Sequence, residues 1–517
     1  MNLARAIATV GGLTMVSRVT GFARDMLIAA FLGAGTQADA FFVAFKFPNL
    51  FRRLFAEGAF SAAFVPLFAG LLETEGKDAA RRFAEEAFAV LAWGLLGFLV
   101  VMELAMPWAI YVFAPGFGAV PGKLELAAEL SRITFPYLLF VSLVSLQGGV
   151  LNSLGRFGAA AATPIALNLT LIAALLGLTP LLPSGAHALA VGTSLAGLVQ
   201  FVWLAVAIQR SGWSIAAVRP RLSPRVKLLM RRILPGAVGA GVYQVNLLVD
   251  TMIASLVSDG AVSFLYYADR VNQLPLGVVG IAVGTALLPI LSRQLRAGNM
   301  VAAAYSQNRA LEFALLLTLP AAAALMTVAG PLIAVLFERG RFGPEERDAT
   351  AAALAAFAVG LPAYVLVKVM TPAFFAREDT RTPVKVAMAA MVANIAFTLI
   401  LMGPLGHVGI ALATALSAWL NVTMLAVILR RRGFFTLDER IRRRGPRILL
   451  ASLLMGGALY AANLGLAPLW EAAVLVKAST FAAVVAAGMV LFFVLAQLLG
   501  AASLGDLKAA MRKPAGP

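Results

Sequence analysis

The stretch SRVTGFARDMLIAAFLGAGTQADAFFVAFKFPNLFRRLFAEGAFSAAFVP, residues 17–66, is apolar enough to enter a bilayer twice, yet it carries Arg18, Arg24, Arg52 and Arg53 within its apolar runs. Arg270 repeats the pattern in YYADRVNQLPLGVVGIAVGTALLP, residues 266–289. A guanidinium cannot deprotonate to escape hydrocarbon, and placing one at the centre of a membrane helix costs about 2.5–3.5 kcal/mol even on the lenient insertion scale. Each of these arginines must therefore face water, a protein cavity or an anionic ligand. Too few carboxylates accompany them to neutralise them all, which points to an anionic cargo.

The rest of the chain agrees with a membrane reading. Of 517 residues 61% are hydrophobic and only 13% charged, far from the balance of a water-soluble domain. The mean hydropathy is +0.88. A net charge of +17 would suit a nucleic-acid binder, but the basic residues lie between apolar segments, where they set topology. With no cysteine there are no disulfides, thiolate metal sites or cysteine nucleophiles, and two histidines leave little for metal chemistry. The first apolar segment has charges within it and no small-residue cleavage site, so it reads as a retained helix rather than a signal peptide.

Windows of about 20 apolar residues, punctuated by Pro, Gly and charge, predict an all-α polytopic membrane protein with about fourteen transmembrane helices. They fall near 8–31, 37–71, 85–113, 128–152, 157–179, 186–208, 226–256, 261–292, 309–337, 349–374, 384–403, 407–430, 446–464 and 474–500. About 29 Lys/Arg fall in one set of alternate loops and termini, against about four (Lys123, Arg339, Arg341, Arg347) in the other set. The positive-inside rule makes the first set cytoplasmic, with both termini on that side. Residues 40–68 align with 263–291, placing Pro66 on Pro289, and GRFGAAAATP (155–164) resembles REDTRTP (377–383). Both copies start from the same side after an even number of spans, so the repeat is parallel. The expected organisation is an N-lobe at 1–215, a C-lobe at 216–432, and a tail at 433–517 with an amphipathic linker and two further helices.

Residues 17–66 and 266–289 closely resemble the MurJ (MviN) family, the lipid II flippases of peptidoglycan synthesis in the MOP (multidrug/oligosaccharidyl-lipid/polysaccharide) exporter superfamily, and the likeness extends over essentially the whole chain. The resemblance implies two six-helix lobes around a cationic cavity, with a groove beside the last two helices for a polyprenyl tail. It implies that Arg18, Arg24, Arg52 and Arg270 bind the cargo and that Asp39 is an essential carboxylate. Asp25, Asp39, Glu57, Asp269 and Gln273 are the candidates for gating or for salt bridges. Gln273 stands where many relatives have glutamate, and its amide could still accept a hydrogen bond from Arg270. Asp250, Asn394 and Thr414 fit a monovalent cation site of some relatives, while Thr398 replaces a second aspartate and weakens a sodium site.

Two readings of Asp39 stay open, a helix-start cap and a gate that pairs with an arginine in one state. Arg53 fits a structural role better than Arg52, because adjacent helical residues diverge by about 100° and cannot share a cavity face. The expected partners are lipid II, membrane lipids and wall-synthesis enzymes, with no nucleic acid, no enzymatic activity and no cofactor beyond sodium or another monovalent cation. The expected location is the bacterial cytoplasmic (inner) membrane. No GxxxxGK[ST] loop is present, so the energy source would be an ion gradient, the membrane potential or downstream consumption. The nearest alternative is a polysaccharide-unit or multidrug exporter of the same superfamily, although drug exporters favour cationic cargo and acidic cavities.

Overall fold

A computed structural model describes residues 3–55 and 59–502, and among these every regular element is helical. The first nine helices are α1 (Leu3–Leu32), α2 (Thr36–Phe55), α3 (Ala59–Thr74), α4 (Lys77–Phe113), α5 (Lys123–Thr134), α6 (Tyr137–Ser153), α7 (Phe157–Leu178), α8 (Gly185–Arg210) and α9 (Pro224–Val257). They are followed by α10 (Ala261–Arg296), α11 (Met300–Thr327), α12 (Ala329–Phe337), α13 (Pro344–Phe375), α14 (Arg381–Arg431), α15 (Glu439–Gly465), α16 (Ala467–Trp470) and α17 (Val474–Leu498). Nine stretches among the described residues are long and apolar enough to cross a membrane, and Phe60–Thr74 and Leu248–Val257 are shorter apolar helices. The chain is a multi-pass, all-helical membrane protein.

Local chemistry explains where helices begin and break. Ser223 precedes Pro224 and accepts from Val226 N–H, a side-chain cap followed by a proline that has no N–H to satisfy. Asp438 caps α15 through Ile441 N–H at 2.8 Å. The span expected over 128–152 starts earlier, at Lys123, and divides into α5 and α6 at Pro136, which cannot donate to the helical ladder. The span expected over 37–71 covers α2 and α3, and residues 56–58 between them lie outside the described residues.

The 51 residues of α14 would be about 75 Å long if straight. Yet Asp379, just before its start, accepts from Arg432 Nη1, just after its end, at 2.6 Å. The helix therefore folds back on itself, at Gly406, whose φ of 57° and ψ of −135° suit glycine alone. This recovers the two expected spans 384–403 and 407–430. The Thr382 hydroxyl and backbone N–H, together with Arg432, hold the Asp379 carboxyl well below the usual carboxylate range.

Contacts divide the chain into two compact units. Unit 1 is Met1–Ser263 with Arg339–Phe342, and unit 2 is Phe264–Glu338 with Gly343–Pro517. In unit 1, Phe60, Phe64, Phe68 and Phe83 stack at centroid separations of 5.4–5.6 Å. Gly149 lets Phe64 close in, since a Cβ there would sit 3.0 Å from its ring. In unit 2, α15 meets α11 and α17 through small residues, with Gly456 against Ala323 and Gly488 against Leu459. Close packing of this kind replaces the hydrophobic drive that lipid cannot supply.

Candidate functional site

Arg24 is buried in unit 1 beside the equally buried Asp25. Its Nε and Nη2 donate to Asp25 Oδ1 at 3.0 and 2.6 Å, and its Nη1 donates to Asn168 Oδ1 at 2.9 Å. Asn168, on α7, is held in turn by its own amide, which donates to Ser17 O at 3.0 Å and Thr20 Oγ1 at 3.2 Å. Gly21 makes room for it, because a Cβ there would lie 3.2 Å from the Asn168 amide nitrogen. Helices α1 and α7 thus fix the plane of one guanidinium, as a bidentate anion site requires. Arg18, on the same helix, is exposed and has no ion pair or side-chain hydrogen bond with the described residues. Arg52 is half-buried and donates to Asn49 Oδ1 at 2.9 Å, whereas Arg53 is exposed. Glu57 lies outside the described residues.

At the other end of α1, where the chain turns into α2, Asp39 is completely buried. It does not cap its own helix. Its Oδ1 accepts from Ser263 N–H at 2.8 Å and Ser263 Oγ at 2.5 Å, and its Oδ2 accepts from Gly260 N–H at 2.8 Å, so it caps the start of α10. Its charge partner is Lys123 rather than an arginine, with Nζ 2.7 Å from Asp39 Oδ2 and 2.5 Å from Asp259 Oδ1. Lys123 is only 1% exposed and its ammonium stands 4.3 Å from the Phe117 ring centroid. Sequence reading counted this lysine as a loop charge. Its partners are 84 and 136 residues distant, and no local pattern marks them.

Backbone contacts tighten the same end. Arg341 N–H donates to Ala30 O at 2.9 Å. Gly340 has φ +62° and a Cβ there would lie 2.2 Å from Ala30 O, while Gly33 has φ +68° and a Cβ would lie 2.7 Å from Arg341 O. Each glycine supplies both a left-handed turn and the space for the other strand of chain. Gly116 donates to Ser255 Oγ at 3.1 Å, and its missing Cβ would fall 2.0 Å from Ser255 O.

In unit 2, Arg270 lies over the Tyr266 ring, 4.9 Å from its centroid, and donates to the Tyr266 hydroxyl at 2.9 Å. The Gln273 amide nitrogen donates to Asp269 Oδ2, one helical turn back on α10. Asn394 and Thr398, four residues apart on α14, share a helix face and are both buried. The Thr398 hydroxyl oxygen has no hydrogen-bond partner among the described residues, and Thr414 donates to Ile410 O at 3.0 Å. Asp250 belongs to unit 1 and is half-buried.

Residues 28–481 match the family model described as Lipid II flippase MurJ. The chain belongs to the MurJ family. It is 47% identical to the probable lipid II flippase MurJ of Rhizobium meliloti, covering 100% of this chain and 97% of that relative. It is 36% identical to the lipid II flippase MurJ of Burkholderia cenocepacia, covering 89% and 90%. A solved lipid II flippase MurJ in an inward closed conformation shares the fold, with a TM-score of 0.78 over 97% of this chain and 99% of that one at 24% identity. An inward-facing multidrug resistance MATE family transporter of the MOP superfamily gives 0.67 over 83% and 98% at 16% identity. The MurJ fold is thus a variant of a wider transporter architecture, and what distinguishes this member must lie in its side chains.

Proposed function

We propose that this MurJ family member carries lipid II from the inner to the outer leaflet of the bacterial cytoplasmic membrane by alternating access, without chemically converting it. The family match supports the cargo, and the observation that carries the mechanism is the buried Arg24 guanidinium oriented by Asp25 and Asn168. The barrier to moving such a lipid is its diphosphate-sugar headgroup. Fixed cations in a polar cavity replace that headgroup's hydration while the tail remains in lipid. Arg18 and Arg52 add further cations to unit 1, and Arg270 supplies one in unit 2. The Lys/Arg distribution supports cytoplasmic termini, which makes the Asp39–Lys123 end the outer one.

Flipping of fluorescent lipid II in proteoliposomes tests this reading. Alanine at Arg24, Arg52 or Arg270 removes a charge-assisted pair worth about 1.5–3 kcal/mol, and each should lower apparent cargo affinity roughly ten- to hundredfold. Lysine at Arg24 should fail almost as badly, because a point charge cannot hold the bidentate plane. Full transport by the triple alanine variant would sink the proposal.

We infer further that Asn394, Thr398 and Thr414 of unit 2 offer oxygen ligands to a weakly held monovalent cation. The buried Thr398 hydroxyl oxygen supports it, since an orphan oxygen in a membrane helix has a ready use as a cation ligand. Neutral oxygens give low affinity. Thr398→Asp should increase the stimulation of transport by a sodium gradient while leaving lipid II binding nearly intact. Identical sodium responses in wild type and variant would exclude the site.

A further inference from the structure

At the end of unit 1 opposite Lys123, a cavity of about 860 Å³ lies between the start of α1, the α6–α7 turn and the end of α8. Its walls are mainly apolar, with Leu154, Phe157, Trp203 and Val206 among them, and Arg156 and Arg210 stand on its rim. The volume is within the range of about 300–1,000 Å³ typical of sites for small amphiphiles. None of the four candidate cargo arginines lines it. It is therefore a separate feature of the lobe.

Within unit 1, Arg81 pairs with Glu85 and Arg225 with Glu75, whereas Arg219 and Arg221 have no carboxylate partner among the described residues. Arg156 and Arg210 have no carboxylate and no side-chain hydrogen bond among the described residues. Trp203 is fixed as a wall, its indole donating to Ala159 O at 3.1 Å, while about half of it stays exposed. The first turn of α7, which no side chain caps, lies on the same rim. Unpaired cations beside an apolar recess and an interfacial tryptophan match one chemistry, an anion carried on a hydrocarbon chain.

We propose that this cavity binds an anionic phospholipid from the leaflet facing that end, with its phosphate between Arg156 and Arg210 and an acyl chain along Trp203, Phe157 and Val206. A soluble phosphate would gain only the two screened contacts, whereas a lipid adds apolar surface removed from water. A zwitterionic choline headgroup would bring its own cation against the arginines. The site is independent of the cargo reading and acts on the lobe that holds Arg24.

Tryptophan quenching by lipids with brominated acyl chains tests the site in nanodiscs containing the full chain. The Trp203 signal is isolated by subtracting that of Trp203→Phe. Each arginine is worth about a fivefold factor in affinity, so brominated phosphatidylglycerol should be favoured over brominated phosphatidylcholine by roughly 25-fold at Trp203. Arg156→Gln with Arg210→Gln should reduce the preference to near unity, and the corresponding double lysine variant should keep most of it, which separates lost charge from lost fold. Equal quenching by the two lipids in the wild type, or a preference that survives in the double glutamine variant, overturns the proposal. So does displacement of phosphatidylglycerol by a polyprenyl pyrophosphate at stoichiometric concentration, which would make the cavity a cargo station.

Discussion

Lys123→Met should abolish transport while the chain still inserts and folds. Lys123 is the charge partner of an Asp39 carboxylate that is completely buried, and its ammonium is shared with Asp259. Removing one partner of a buried pair costs about 3–5 kcal/mol, because the other charge is stranded in a medium that cannot solvate it. In the arrangement seen here that cost falls on the joined ends of α2, α5 and α10, and a conformer that exposes Asp39 to water avoids it. The equilibrium should thus move roughly a hundred- to several-thousandfold toward conformers in which this end stays open. Asp39→Asn added to Lys123→Met should recover part of the loss, since the stranded charge is gone and the amide oxygen still accepts from Ser263. Lys123→Arg should be intermediate, its longer planar head fitting poorly against Phe117. Flipping assays on the wild type, Lys123→Met, Asp39→Asn and their double variant form a double-mutant cycle. Wild-type transport by Lys123→Met would show that the pair is dispensable.

Much of this structure was legible in the sequence because the bilayer imposes a length and a polarity that any spanning helix must meet. The arginines inside apolar runs fall on α1, α2 and α10, which the apolar windows had placed as helices. The fold-back at Gly406 was legible as two spans meeting near His407. What was not legible is pairing across long sequence separations. Asn168 is the one amide in the apolar run 157–178, and that isolation was a usable signal that it serves a buried partner. Lys123 gave no such signal, since it follows Pro121 and Gly122 in what reads as an ordinary loop. Asp39 offered two readings from its place near a helix start. The structure combines parts of both, because it caps a helix, though a different one, and it pairs with a cation, though not an arginine. Gln273 makes a local contact, its amide nitrogen donating to Asp269 one turn back.

Gly340→Ala should open the same end by a purely steric route, and it separates geometry from charge. The residue sits at φ +62°, and a Cβ there would meet Ala30 O at 2.2 Å, a distance that backbone cannot tolerate. A left-handed non-glycine residue costs about 1–2 kcal/mol, and displacing Arg341 from Ala30 forfeits a hydrogen bond worth about 1 kcal/mol more. The total of about 2–3 kcal/mol corresponds to roughly thirty- to 150-fold weaker closure of Arg339–Phe342 onto the α1–α2 turn. Amide hydrogen exchange over residues 29–41 and 255–263 should accelerate by a comparable factor, while exchange in the Phe64 core stays unchanged. Gly70→Ala is the matched control, since a Cβ there meets nothing within 4 Å and the site is helical. If Gly340→Ala and Gly70→Ala exchange alike at 29–41, the contact between Gly340 and Ala30 does not hold that end together. If Gly340→Ala accelerates exchange yet transport is unaffected, the clasp is a passive contact, and the burden of closing this end falls on Asp39 and Lys123 alone.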